Sequence, residues 1–268
     1  MIGLLAVVGV VTPAYAEPEA EESLAYVPNR VMSWNSGGEE EGTPQLIVQQ
    51  VRSFRPQLVA LQESCQNEVR EAVRQLKEVG LEYVHVRGLS AQNAKCPGPL
   101  GTAILYAKGT PMVRHSRKEY TVDEGWSEKR GYQTFSTKIA GRWVQVFNTH
   151  LSAPAYPDLR RQQILELTWL TQLDSQKLVF GDFNAQPWYY EMGPIWRDRL
   201  VDVDKYCKMV YDRRCNGTQV GSGKKFDYIL HHGVGSRNCL LHTVNLDHRV
   251  VISDVTAAPG RRRPCTVT

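Results

Sequence analysis

The residues able to do hydrolytic chemistry cluster where short apolar runs end. Asn35 follows RVMSW, Glu63 follows QLVALQ, and His150 closes RWVQVFNTH. Asp182 and Asn184 sit in Gly181-Asp182-Phe183-Asn184 directly after KLVF, Asp227 lies in KFDYIL, and Asp247-His248 precede the last apolar run. One polar residue at a strand end is ordinary. A set made wholly of Asp, Asn, Glu and His at the tips of different strands points to a shared rim. Hard oxygen ligands without a Cys/His cluster suit Mg²⁺ or Mn²⁺ rather than zinc, and magnesium held by few carboxylates leaves room for a substrate phosphate. Two histidines near carboxylates add groups that titrate around neutral pH. Metal-assisted phosphoester hydrolysis is the chemistry these residue types suggest.

The elements that must position them read as short strands with a few helices between. Strands are expected over 30–34, 57–62, 83–87, 102–106, 132–139, 142–148, 177–183, 225–230, 238–245 and 249–255. Ala140-Gly141 marks a hairpin between two of them. Thr43-Pro44 reads as a cap followed by proline at the first helical position, with Ile47, Val51 and Phe54 at helical spacing. A second helix carries Val69, Val73, Leu76 and Val79 on one face and stops at Gly80. A third opens at Pro157 and runs through about Leu173, with Leu159, Gln163, Leu167 and Leu170 on its expected inner face. No repeat or linker divides the chain. Two strand-rich halves with helices between fit two packed sheets covered by helices, as one domain over 17–268.

Composition narrows the partners. The chain is 42% hydrophobic and 22% charged, which excludes disordered, collagenous and coiled-coil classes. A net charge of +4 permits an anionic partner without demanding one, and Arg261-Arg262-Arg263 reads as a solvated tail. Ile2 to Val11 form an apolar run followed by Ala14-Tyr15-Ala16, the pattern of a signal peptide over 1–16, although no Lys or Arg precedes it. The run is too short to span a bilayer, no other stretch reaches membrane length, and a secreted protein is expected. The six cysteines form no CxxC pair, so disulfides are favoured over zinc. Cys207 and Cys215 are close in sequence, Cys239 and Cys265 flank the final strands, and Cys65 and Cys96 follow strand ends on one rim; these are the expected pairs. Nothing calls for an obligate protein partner, and a monomer is expected.

The motifs Trp34-Asn35, Leu61-Gln62-Glu63, Asn148-Thr149-His150-Leu151, Gly181-Asp182-Phe183-Asn184, Phe226-Asp227-Tyr228-Ile229 and Asp247-His248-Arg249 follow one another in a familiar order. From about residue 30 to 255 the chain resembles the endonuclease/exonuclease/phosphatase superfamily, which includes deoxyribonuclease I, abasic-site endonucleases of the exonuclease III type, neutral sphingomyelinases and inositol-phosphate 5-phosphatases. The resemblance implies a four-layer α/β sandwich of two packed mixed β-sheets flanked by helices. It implies Glu63 as the main Mg²⁺ ligand, with Asn35 and Asp247 close by. Asp182 and Asn184 would orient the attacking water and hold a phosphate oxygen, and His248 would be polarised by Asp227. His150 would contact the phosphate or assist the leaving oxygen, and Arg130 would bind phosphate. Whether Asp182 or His248 takes the water's proton stays open.

Two departures stand out. Where deoxyribonuclease I has a glutamate partnering the histidine equivalent to His150, this chain reads Gly101-Thr102-Ala103, leaving Thr102 as the nearest substitute. Leu246 stands where many members have serine. The implied function is a secreted Mg²⁺-dependent (or Mn²⁺-dependent) phosphodiesterase acting on nucleic acid, most simply an endonuclease. Lys129, Lys224 and Lys225 would flank Arg130, and Trp188-Tyr189-Tyr190 would either stack on bases or pack in the core. The alternatives are a phospholipid or sphingomyelin phosphodiesterase or a phosphomonoesterase on the same core, although no exposed apolar hairpin is evident. A binding protein that has lost the chemistry is a third reading.

Overall fold

In the computed structural model, which describes residues 25–37, 43–96, 98–125, 129–260 and 262–268, the strands sort into two sheets. The expected signal peptide lies outside the described residues. The first sheet holds β1 (Val27–Asn35), β2 (Pro56–Cys65), β3 (Tyr83–Gln92), β4 (Pro99–Ala107), β11 (Gly235–His242), β12 (Val250–Thr256) and β13 (Thr266–Val267). Its order is β13-β11-β12-β1-β2-β4-β3. The second holds β5 (Met112–Glu119), β6 (Gly131–Ile139), β7 (Arg142–His150), β8 (Lys177–Asp182), β9 (Val201–Asp202) and β10 (Asp227–His232), in the order β5-β6-β7-β8-β10-β9. Both sheets are mixed: β1–β2 and β7–β8 run parallel, and their other main pairings are antiparallel.

Period-two alternation in the central strands builds three apolar layers. Leu58 and Ala60 of β2 turn inward to Phe135, Val146, Leu178, Phe180 and Ile229 of the facing sheet. Val59 and Leu61 turn outward onto Ile47 and Val51 of α1 (Thr43–Phe54) and Val69 and Leu76 of α2 (Gln66–Glu78). On the far side, Phe147 and Val179 pack with Ile164 and Leu167 of α3 (Pro157–Thr171) and Ile195 of α4 (Gly193–Arg197). This is the expected four-layer sandwich. Leu58 is wholly buried between the sheets, so Leu58→Ala would cost about 2–5 kcal/mol.

The differences from expectation have physical reasons. β5 reads MVRHSRKE, and all of it beyond Met112 is exposed; a charged edge strand protects a sheet from edge-to-edge pairing and carries no apolar alternation. The buried face of α3 is Arg160, Gln163, Ile164, Leu167, Thr168 and Thr171; Leu170 packs against it partly buried, and Leu159 lies at its margin. Arg160 can be buried because Nη2 donates to Glu191 at 2.6 Å and Nη1 to the carbonyl of Ala153. The C-terminal tail is not simply solvated: Arg262 donates to the carbonyl of Asp202, and Thr266-Val267 pair with Leu240-Leu241. All three expected disulfides are present, Cys65–Cys96, Cys207–Cys215 and Cys239–Cys265. The hairpin at Ala140-Gly141 has both residues at positive φ (50° and 76°), the geometry a tight two-residue turn needs.

Candidate active site

Strand register assembles the site. The parallel β7–β8 pair sets His150 beside Asp182, and the antiparallel β8–β10 pair sets Asp227 on the other side of Asp182. Gly181 makes this possible: a Cβ there would lie 2.2 Å from the carbonyl oxygen of Thr149. From the opposing sheet come Asn35 at the end of β1 and Glu63 near the end of β2. Glu63 stands at a register shift between β2 and β4, a bulge that re-aims a side chain. Its φ of 46°, like the 51° of Asn184, is left-handed, and such backbone costs about 1–3 kcal/mol unless the surroundings enforce it. His248 precedes β12, and a β-bridge to Gln219 holds it.

Beneath the site a buried amide braces the two sheets. Gln62 Nε2 donates to Asn148 Oδ1 at 2.8 Å, and Asn148 Nδ2 donates to the carbonyls of Leu61 and Ala103. Asn148 belongs to the NTH motif, but its spacing gives no sign of this role. Thr218 was also missed: its Oγ1 accepts from the backbone N–H groups of Phe226 and Asp227 and fixes the start of β10.

Two donor clusters share Asp182. Ligand atoms of Glu63, His150 and Asp182 lie within 4.8 Å of one another, as do those of Asp182, Asp227 and His248. Asn35 Nδ2 links the carboxylates, donating to Glu63 Oε1 at 3.0 Å and Asp182 Oδ2 at 3.1 Å. Glu63 is 36% exposed and opens the cluster to solvent, and Asp247, 69% exposed, brings Oδ2 to 3.7 Å from His248 Nε2. Every cysteine is in a disulfide. Carboxylate oxygens with no thiolate among them fit a hard divalent cation better than a soft one.

The histidines differ in their partners. His248 Nδ1 lies 2.8 Å from Asp227 Oδ2. Burial alone would push the imidazole down, but Asp227, then Asp182 and Asp247, push it up to about 11. Burial likewise opposes ionisation of Asp182, but the charge of His248 and the hydrogen bonds from Asn35 and the Asn184 backbone hold it below the usual carboxylate range. His150 Nδ1 instead faces Arg130 Nη1 at 2.8 Å. A guanidinium can only donate, so Nδ1 must accept and the ring proton sits on Nε2. That nitrogen is 3.7 Å from Glu63 Oε1 and 3.8 Å from Asp182 Oδ2. Asn184 Nδ2 donates to the carbonyl of Leu151 and lies 3.2 Å from His150 Nε2.

Arg130 is anchored from behind by Glu124, whose Oε1 accepts from Nε at 2.8 Å in full burial. Thr102, the expected stand-in partner for His150, does not serve: its Oγ1 is buried without a hydrogen bond. On the Nδ1 side of His150 the carboxylate is Glu124, which reaches the ring only through Arg130. Lys225 cannot flank a substrate, being 1% exposed and paired with buried Asp202. Lys129 pairs with Glu119 at the surface, and Lys224 is exposed. Of the aromatic trio, Tyr189 packs against the core, Tyr190 is exposed, and Trp188 meets Tyr211 edge-to-face.

No curated protein matches this chain closely enough to count as a relative. Solved structures do. The human Nocturnin catalytic domain with bound sulfate is 18% identical with a TM-score of 0.67, over 85% of this chain and 94% of that one. A humanized TDP2 of D. rerio is 13% identical with a TM-score of 0.67, over 85% and 98%. An endonuclease/exonuclease/phosphatase protein of Beutenbergia cavernae is 19% identical with a TM-score of 0.64, over 86% and 72%. At such identities these likenesses establish the fold. The family model is more specific and matches residues 32–254, a span holding every residue of the site. The chain belongs to the Endonuclease/Exonuclease/phosphatase family, whose members are metal-dependent phosphoester hydrolases.

Proposed function

We propose that the chain is a secreted, Mg²⁺- or Mn²⁺-dependent phosphodiesterase that hydrolyses nucleic acid, with endonucleolytic cleavage as the first reading. The observation that carries it is the meeting of Glu63, His150, Asp182 and the His248–Asp227 pair where strands of the two sheets end. Export is supported by the apolar run at residues 2–11 and by three disulfides, bonds that persist in oxidising compartments. Among the described residues no helix is long and apolar enough to cross a membrane.

Glu63, with Asn35 and Asp247, would hold the cation, which when bound neutralises charge on a phosphate oxygen. Asp182 stays ionised and accepts the proton of the attacking water, while Asn184 helps position that water. His248, held as an imidazolium by Asp227, donates to a non-bridging phosphate oxygen. His150 presents its Nε2–H toward the phosphate or the leaving oxygen, with Arg130 fixing the ring and adding positive charge. This assignment makes Asp182 rather than His248 the base, because a cationic imidazole has no lone pair to offer.

The test is turnover of plasmid DNA, RNA, sphingomyelin and a small phosphodiester, each with Mg²⁺ and with excess chelator. Nucleic acid should be the fastest substrate, and chelation should abolish hydrolysis until Mg²⁺ or Mn²⁺ is restored. Full activity in chelator would overturn the metal assignment. Faster turnover of sphingomyelin than of nucleic acid would replace the reading with a lipid phosphodiesterase.

A further inference from the structure

The bond Cys207–Cys215 closes a loop whose tip, Met209-Val210-Tyr211, stands 57–65% exposed. This is the exposed apolar element that the sequence did not reveal. Two connections tie the loop to segments that carry active-site residues. Tyr211 meets Trp188 edge-to-face at 4.6 Å, and Trp188 lies four positions beyond Asn184. The chain then runs on to Gln219, which bridges His248, and Val220, whose N–H donates to the Asp247 carbonyl at 2.7 Å.

Charge is concentrated here as well. Residues 205–224 carry five basic side chains (Lys205, Lys208, Arg213, Arg214 and Lys224) against the single acid Asp212, in a chain whose whole net charge is +4. Arg214 takes up Asp212 at 2.7 Å and lies over the Tyr206 ring at 4.1 Å. Arg213 is exposed and has no carboxylate partner among the described residues. Tyr211, Asp212, Arg213 and Arg214 line a shallow, open depression at the surface.

We propose that this disulfide-closed loop is a nucleotide-binding arm. It takes an unpaired nucleotide next to the scissile phosphate, with the base against Tyr211 and the phosphate on Arg213. The proposal rests on the nucleic-acid reading of the active site and adds where the rest of the strand lies. Exposed aromatic rings stack on bases of any sequence, and an exposed guanidinium beside them neutralises backbone phosphate. The loop favours a nucleotide over a membrane because Tyr211 stands among charged groups, Asp212, Arg213 and Arg214. Pressing the tip into lipid would carry the Asp212–Arg214 pair toward the acyl boundary.

The experiment uses the full chain, with a labelled single-stranded oligonucleotide read by anisotropy in chelator, so that binding is seen without cleavage. Parent, Tyr211→Ala, Tyr211→Phe and Arg213→Ala are compared. Cleavage of the oligonucleotide and of bis(p-nitrophenyl) phosphate in Mg²⁺ is measured in parallel. Tyr211→Ala should raise Kd about tenfold, with Tyr211→Phe near the parent. Arg213→Ala should flatten the salt dependence of binding by a log–log slope of about 0.7. The ratio of kcat/KM for oligonucleotide over the small ester should fall with Kd. Unchanged Kd in both alanine variants, while the parent cleaves the oligonucleotide, would overturn the arm alone. A parent that cleaves the small ester and neither binds nor cleaves the oligonucleotide would overturn the nucleic-acid reading itself. Loss of binding to phosphatidylserine vesicles on Tyr211→Ala, with oligonucleotide binding intact, would overturn the arm in favour of a membrane contact.

Discussion

His150 and His248 each bring Nε2 to 3.8 Å from the same oxygen, Asp182 Oδ2. Each also places Nδ1 2.8 Å from a charged partner. The partners have opposite signs. Asp227 makes the charged form of His248 the favoured one, while Arg130 requires a lone pair on His150 and leaves its proton on Nε2. Two imidazoles in nearly the same geometry thus do different work. On the proposed reading, His248 would bring a fixed positive charge to the phosphate, and His150 a neutral N–H donor whose direction is set by the Glu124–Arg130 pair. Environment rather than residue type assigns the roles, as happens where paired titratable groups are driven apart.

Breaking the His248 side should have the larger effect. His248→Ala is expected to lose about 10²–10⁴-fold in rate while staying folded, and Asp227→Asn to fall in the same direction. Circular dichroism and kcat measured together check this. An Asp227→Asn enzyme as active as the parent would mean that the pair has no part in turnover. Glu63→Ala should next show itself as a weaker response to Mg²⁺, seen in rates titrated against metal concentration. On the His150 side, Arg130→Lys keeps the charge but cannot reach Glu124 and His150 with the same fork. A loss of about 10–100-fold is expected, the range for groups that orient a working imidazole, whereas parent-like kcat would deny Arg130 its positioning role.

The smallest effect is on stability. The folded value of His248, about 11, lies above its ordinary 6.5. Its stabilising contribution is therefore fully present below pH 6.5 and is lost as pH rises through about 11. In chelator, urea midpoints of the parent should decline from neutral toward alkaline pH, and those of Asp227→Asn should decline less. Equal slopes would show that the pair does not couple to folding.

Much of this was legible in the chain because central strands and site residues share one pattern. The uninterrupted apolar runs of β2 and β8 announce burial on both faces, and the polar residue that ends each run marks the rim. The edges were not legible: β5 is charged along its length, and β9 and β13 are two residues each, too short to carry a period. The residues that meet at the rim could be read from types and order alone. Glu124 could not, because it lies six residues before Arg130 in a stretch without periodicity, and only packing brings the two together. The burial of Lys225 depends on Asp202, from a strand remote in sequence, and the exposure of Met209-Val210-Tyr211 depends on a disulfide-closed loop; neither follows from local pattern.

The measurement that tests the division of labour most directly is ¹⁵N NMR of the two imidazoles in the chelated protein, followed from neutral to alkaline pH. His248 should remain doubly protonated well above the ordinary histidine range, while His150 shows a bare Nδ1 and a proton on Nε2 throughout. If both rings instead titrate together near 6.5, or if His150 is the one that stays charged, the opposed roles assigned to the two histidines are wrong.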